Sequence, residues 1–141
     1  MMDTINLINT YFESLPNEKQ KDMLVLHRLI LSIKPDCRLW YLDGKNEEGK
    51  VVANPNVGYG QYTIRYADGS TKEFYRVGLS ANTTGISVYI MGLTDKNRLI
   101  EICAEKIGKA KVTSYCIKFK ALKSINLDVL KEAILLGLSD S

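Results

Sequence analysis

Between Val57 and Gly92 apolar and polar residues alternate in runs broken by Gly, Asp and Asn, and on either side the alternation gives way to three- and four-residue spacing. Alternation is the mark of half-buried antiparallel strands, and the longer spacing is that of amphipathic helices. The runs in 57–69, 74–80 and 86–92 therefore predict a three-stranded meander rich in tyrosine. Asp68-Gly69 suits a tight hairpin, whose central positions favour φ > 0, and Asn82-Thr83-Thr84-Gly85 suits a second turn.

Two helices precede the meander. Asp3 or Thr4 can cap the first, which carries Ile5, Ile8, Phe12 and Leu15 and ends at Pro16. Asn17 and Gln20 resemble a capping box for the second, whose apolar side is Met23, Leu26, Leu29, Ile30 and Ile33 and which stops before Pro35. Residues 36–56 are less regular: an apolar Leu39-Trp40-Tyr41-Leu42, a polar turn segment from Asp43 to Lys50, and Val51-Val52 as a short edge strand. After the meander, Thr94 or Asp95 can cap a helix with Leu99, Ile100, Cys103 and Ile107, with Gly108 as its stop. Ser114 to Lys120 alternates again, with Tyr115, Ile117 and Phe119 on one side. A last helix starts near Asn126, buries Leu127, Leu130 and Ile134 and ends around Gly137. This order predicts a single α+β domain over residues 1–141, with two layers: an antiparallel or mixed sheet of four to five strands and helices packed on one face.

Composition adds little to that picture. Apolar content of 45% and charged content of 25% are ordinary for a globular chain, and a net charge of +3 gives no reason to invoke nucleic acid. Cys37, Cys103 and Cys116 are odd in number and lack metal-like spacing, so they read as free thiols in a reducing compartment. The N-terminus shows no basic stretch followed by an apolar one, and no apolar run approaches spanning length. A cytoplasmic protein without membrane contact is expected, and no cofactor.

The chemistry on offer lies on the sheet. If Tyr62, Ile64, Tyr66, Tyr75, Val77 and Leu79 face the helices, the pleat sends Arg65, Arg76, Tyr89, Lys118 and Lys120 to the opposite surface. The neighbouring segment from Lys106 to Lys123 holds six lysines, and its only other ionisable side chains are Tyr115 and Cys116. Arg65, Arg76, Tyr89, Lys118 and Lys120 thus form a candidate ligand-binding set for a small anionic ligand or an acidic protein partner, since cations neutralise phosphate or carboxylate and aromatics stack. An ordinary solvated face, on which Lys and Arg blunt edge pairing, has the same pattern.

Other signatures are weaker. Asp43, Glu47 and Glu48 loosely resemble a calcium loop but lack the regular ladder of carboxylates. His27 sits near an apolar helix stripe with no second ligand or nucleophile in its pattern, and reads as a core-edge histidine. Ser80 follows Gly78-Leu79, which is no nucleophile elbow, and Gly58-Tyr59-Gly60 precedes a strand rather than a helix, so it is no dinucleotide cradle. Cys116 beside Lys118 could have a lowered pKa. No nucleophile, base and orienting group can be named together, so an enzyme is the least supported class.

Gly58-Tyr59-Gly60, Tyr66-Ala67-Asp68-Gly69, Gly78-Leu79-Ser80, Tyr89-Ile90-Met91, Ile107-Gly108-Lys109, Cys116 and Leu127-Asp128-Val129-Leu130 together resemble the YdhG-like family, a bacterial domain of unknown function. The similarity runs from about Leu15 to the C-terminus. It implies a small accessory or binding domain, and, because some members are described as frataxin-like iron chaperones, iron handling as an alternative. Two departures stand out. Ala81-Asn82-Thr83 replaces the Pro-Arg-Lys that members often carry after the serine, and 43–54 is longer than usual. Glu13, Glu18 and Asp22 are interleaved with Lys19 and Lys21, the pattern of a solvated helix face rather than of an acidic ridge.

Overall fold

Four helices and eight strands follow one another in the computed structural model, which describes residues 3–82, 84–91, 93, 95, 97–104 and 106–138. Helix α1 spans Thr4–Glu13, and its first turn is closed by the Asp3 carboxylate, which accepts from the Asn6 N–H at 2.8 Å. Helix α2 spans Asn17–Ile33. Its cap position is Pro16, which has no side-chain capping bond, and Asn17 is the first helical residue rather than the cap. Helix α3 is short, Arg98–Cys103; Asn97 holds the cap position without a side-chain capping bond, and the Asp95 carboxylate accepts from the Asn97 N–H at 2.9 Å, while Thr94 lies outside the described residues. It ends at Ala104 with φ +38°, well before Gly108. Helix α4 spans Leu127–Leu138, with the Asn126 side chain accepting from Asp128 and Val129 N–H at 3.0 and 3.4 Å.

The strands are β1 Leu39–Leu42, β2 Asn56–Tyr59, β3 Tyr62–Arg65, β4 Thr71–Phe74, β5 Val77–Asn82, β6 Gly85–Ile90, β7 Ala110–Val112 and β8 Cys116–Phe119. Six of them form one antiparallel sheet in the order β1-β2-β5-β6-β8-β7, and β3 and β4 form a separate two-stranded hairpin. The α+β class and antiparallel pairing are as expected, but the sheet has six strands rather than four or five. The additional pairing comes from β1, read in sequence only as an apolar stretch, from Asn56–Tyr59, read as the lead-in to a strand, and from β7. Val51 makes only an isolated bridge to Lys45, inside an exposed loop turned by the Asn46 side chain, which accepts from the Glu48 and Lys50 N–H groups.

Period two explains the core. Val57, Tyr59, Val77, Leu79, Ile86, Val88, Ile90, Ile117 and Phe119 all point to one face and pack with residues of the four helices in one buried cluster. Among them Ile8, Phe12, Met23, Leu26, Ile30, Leu99, Leu130 and Ile134 are almost fully shielded. Removing a buried Leu or Ile side chain to Ala costs about 2–5 kcal/mol in such a setting. Ile5 and Leu127, expected in the core, are instead exposed, and Tyr11 is buried. No described helix is long and apolar enough to cross a membrane.

The hairpin is where the expected meander fails. Gly60, at φ +82°, turns the chain out of the sheet after β2, and it returns at Arg76, whose N–H bonds the Tyr59 carbonyl at 3.0 Å. Everything between is a β3–β4 excursion, with Tyr66 to Ser70 as its turn. Tyr62 and Ile64 are therefore only half-buried and Tyr66 is 48% exposed, none of them lying in the sheet. Tyr75 is buried as expected, but on the face away from the helices. A side chain at Gly58 or Gly78, paired with each other across β2 and β5, would collide with its ring, 2.5 Å from Cε1 in the case of Gly78. Phe74 stacks on Tyr75 at 4.2 Å and meets Trp40 edge-on at 6.2 Å, so this half of the outer face carries a second, aromatic layer.

Candidate functional site

The aromatic layer divides the outer face in two. Under the hairpin the row Trp40, Gly58, Gly78, Tyr89, Cys116 runs across five strands. Tyr89 is half-buried there, and burial raises its pKa, as it does that of Tyr75 and Cys116. For Cys116 desolvation outweighs the nearby Lys118 charge, so the thiol is pushed up and not down, contrary to the expectation of a lowered pKa. This half offers no open platform.

Arg76 is a correction as well. It is 9% exposed, and its guanidinium is committed to carbonyls: Nε to Gln61 at 3.1 Å and Nη1 to Gly137 at 3.5 Å, with its charge 5.9 Å from the centre of the Tyr62 ring. A cation against the last carbonyls of α4 offsets the negative end of the helix. Arg76 thus ties the hairpin base to α4. Arg65 is exposed but belongs to β3 of the hairpin, not to the sheet that carries Lys118. The five residues expected to share one surface do not form one group.

Lys118 and Lys120 do. The β7–β8 pair places Lys111 opposite Lys118, and Ser87 of β6 lies opposite Lys118 on its other side. Around them a solvent-open cavity of about 340 Å³ is walled by the end of β8, the start of β7 and the turn between β5 and β6. Lys109, Lys111, Lys118 and Lys120 line it, with Asn82 and Thr84, and no described lining residue is acidic. Like charges directly opposite on an antiparallel pair repel, so Lys111 and Lys118 make a local cost that a bound anion would turn into attraction. The turn beside them is fixed: the Asn82 side-chain oxygen accepts from Thr84 N–H, Thr84 Oγ1 and Gly85 N–H at 3.0, 2.7 and 2.9 Å. Gly85 can hold no side chain, since a Cβ would run into the Phe119 carbonyl.

Lys109 and Lys111 were not among the expected site residues. The signal was present in the acid-free run from Lys106 to Lys123, but Lys109-Ala110-Lys111-Val112 is too short to announce a strand by alternation.

Other chemistry finds less support. Nδ1 of His27 is 2.6 Å from the buried Tyr59 hydroxyl, and the Phe12 ring meets the imidazole edge-on at 5.2 Å. Burial, then Arg28, lowers its pKa. The Ser80 hydroxyl donates to the Pro55 carbonyl at 2.8 Å. Among the described residues no three His, Cys, Asp or Glu side chains come together in a way that could hold a metal ion. No family model, no curated protein and no solved structure matches this chain.

Proposed function

We propose that this chain is a small binding domain of the YdhG-like kind that holds a phosphate- or carboxylate-bearing ligand on its β7–β8 lysines. The observation that carries the reading is the cavity of about 340 Å³ lined by four lysines and by no described acidic residue. The site keeps Lys118 and Lys120 from the expected set, replaces Arg65, Arg76 and Tyr89 by Lys109 and Lys111, and needs no cofactor. The family assignment rests on the motifs quoted above. Three unpaired cysteines suit a reducing compartment, which supports a cytoplasmic setting.

Calorimetric titration of inorganic phosphate tests the reading. Saturable binding at low salt is expected, weakening as salt rises, because exposed charges are screened over about 8–10 Å near physiological ionic strength. Replacing Lys111 and Lys118 together by Ala should abolish it with the fold retained. Phosphate that binds the double variant equally well would refute the site.

A further inference from the structure

A second basin opens beside the first. It measures about 650 Å³ and shares Thr84 and Lys120 with its neighbour, adding Lys19, Lys21 and Lys123 along with Glu18 and Asp22. We infer that the ligand of the lysine site is a linear polyphosphate group, with one phosphate between Lys111 and Lys118 and the remainder running past Lys120 toward Lys21 and Lys123. This inference rests on the anion-site reading and extends it.

Positive charge is concentrated along this strip. Among the described residues the two basins are lined by seven lysines and two carboxylates, a local charge of +5, while the whole chain carries +3. The rest of the chain therefore sums to −2. The net charge that looked mild in composition is a strongly basic strip on a slightly acidic body. A strip of one sign focuses field lines and raises the local concentration of counter-charge.

Two bonds fix the region where the basins meet. Lys19 Nζ donates to the Asn82 carbonyl, joining α2 to the turn that floors the first basin. Asp22 Oδ2 accepts from the Leu122 N–H at 3.1 Å, fixing the opposite wall. Lys19 and Asp22 are thus structural ties, and Lys21, Lys120 and Lys123, all exposed, are the cations left to face a ligand. Size agrees. The two basins, of about 340 and 650 Å³, adjoin at Thr84 and Lys120, so an extended anion can run from one into the other.

The lining also separates this ligand from a nucleic acid. Phe119 is the sole aromatic residue among the described lining of either basin, and it is only 5% exposed. Single-stranded nucleic acids are held by cations together with aromatic faces for the bases. Cations without stacking surfaces fit phosphate chains that carry no bases.

Calorimetry on the full chain at fixed ionic strength tests this with four probes: inorganic phosphate, pyrophosphate, tripolyphosphate and a single-stranded oligonucleotide. Affinity should rise by about tenfold or more from phosphate to tripolyphosphate, about 1.4 kcal/mol. Replacing Lys21 and Lys123 by Ala, both on the surface, should erase that gain and leave phosphate binding in place. Phosphate that binds without any gain on lengthening, or a gain that survives the double variant, overturns the polyphosphate inference alone. Binding of the oligonucleotide above tripolyphosphate overturns it in favour of nucleic acid. No binding of any probe removes the anion site itself.

Discussion

Nδ1 of His27 lies 2.6 Å from the hydroxyl of Tyr59, inside the layer between α2 and the sheet. Tyr59 is fully buried, and desolvation raises its pKa far above the ordinary tyrosine value, so the phenol keeps its proton and can donate it to a neutral imidazole. Protonating His27 would place a hydrogen on Nδ1 and take that acceptor away.

The pH dependence of stability follows. Burial lowers the His27 pKa in the folded state, so below about pH 6.5 the unfolded chain binds a proton that the folded chain resists. Stability should therefore be full above about pH 6.5 and decline as pH falls through that value. Thermal unfolding across this range, in the wild type and in His27→Gln, checks it. The variant should start less stable and show a shallower decline before the carboxylates titrate. Parallel curves would mean that His27 contributes no linkage.

Gly58 and Gly78 make room for the Tyr75 ring. Gly78→Ala should cost about 1–3 kcal/mol through overpacking. In a Tyr75→Ala background the same substitution should cost clearly less, because the ring it strikes is gone. Denaturant unfolding of the four proteins of this cycle gives the coupling; additive costs would contradict the packing.

Arg76 and Arg65 should part company. Arg76→Met removes a buried guanidinium bonded to the Gln61 and Gly137 carbonyls and should cost about 1.5–3 kcal/mol. Arg65→Ala, on the exposed hairpin, should stay within about 0.5 kcal/mol of wild type. Equal effects in denaturant unfolding would mean that Arg76 is not the tie described.

The fold was more legible than the site, and for one reason. The strands from Val77 to Ile90 and from Cys116 to Phe119 carry complete periods, so their faces can be read directly, and the helix stripes err only near the helix starts, at Ile5, Ile100 and Leu127. The failure lies at Gly60. Apolar residues fall on odd positions at Val57 and Tyr59 but on even ones at Tyr62 and Ile64, and at that break in phase a left-handed glycine lifts the chain out of the sheet. Periodicity reports that residues are extended, not which strand they pair with. Alternation alone therefore puts Tyr62 and Arg65 in the sheet and Tyr75, which follows the hairpin strand and folds back over two glycines, on the wrong face. Arg76 misled for a related reason. Its surroundings, the hairpin base and the end of α4, are set by tertiary structure. The lysines of β7 and β8 were visible as a charge run, and only the pairing of Lys111 with Lys118 gathers them into a site.

Location is the central claim, and amide chemical shifts during a phosphate titration test it most directly. Saturable shifts should centre on Thr84 to Ile86, Lys109 to Lys111 and Lys118 to Lys120, with Arg65, Arg76 and Tyr89 unmoved. Saturable shifts centred instead on Arg65 and Tyr89, or no saturable shift at all, would contradict it.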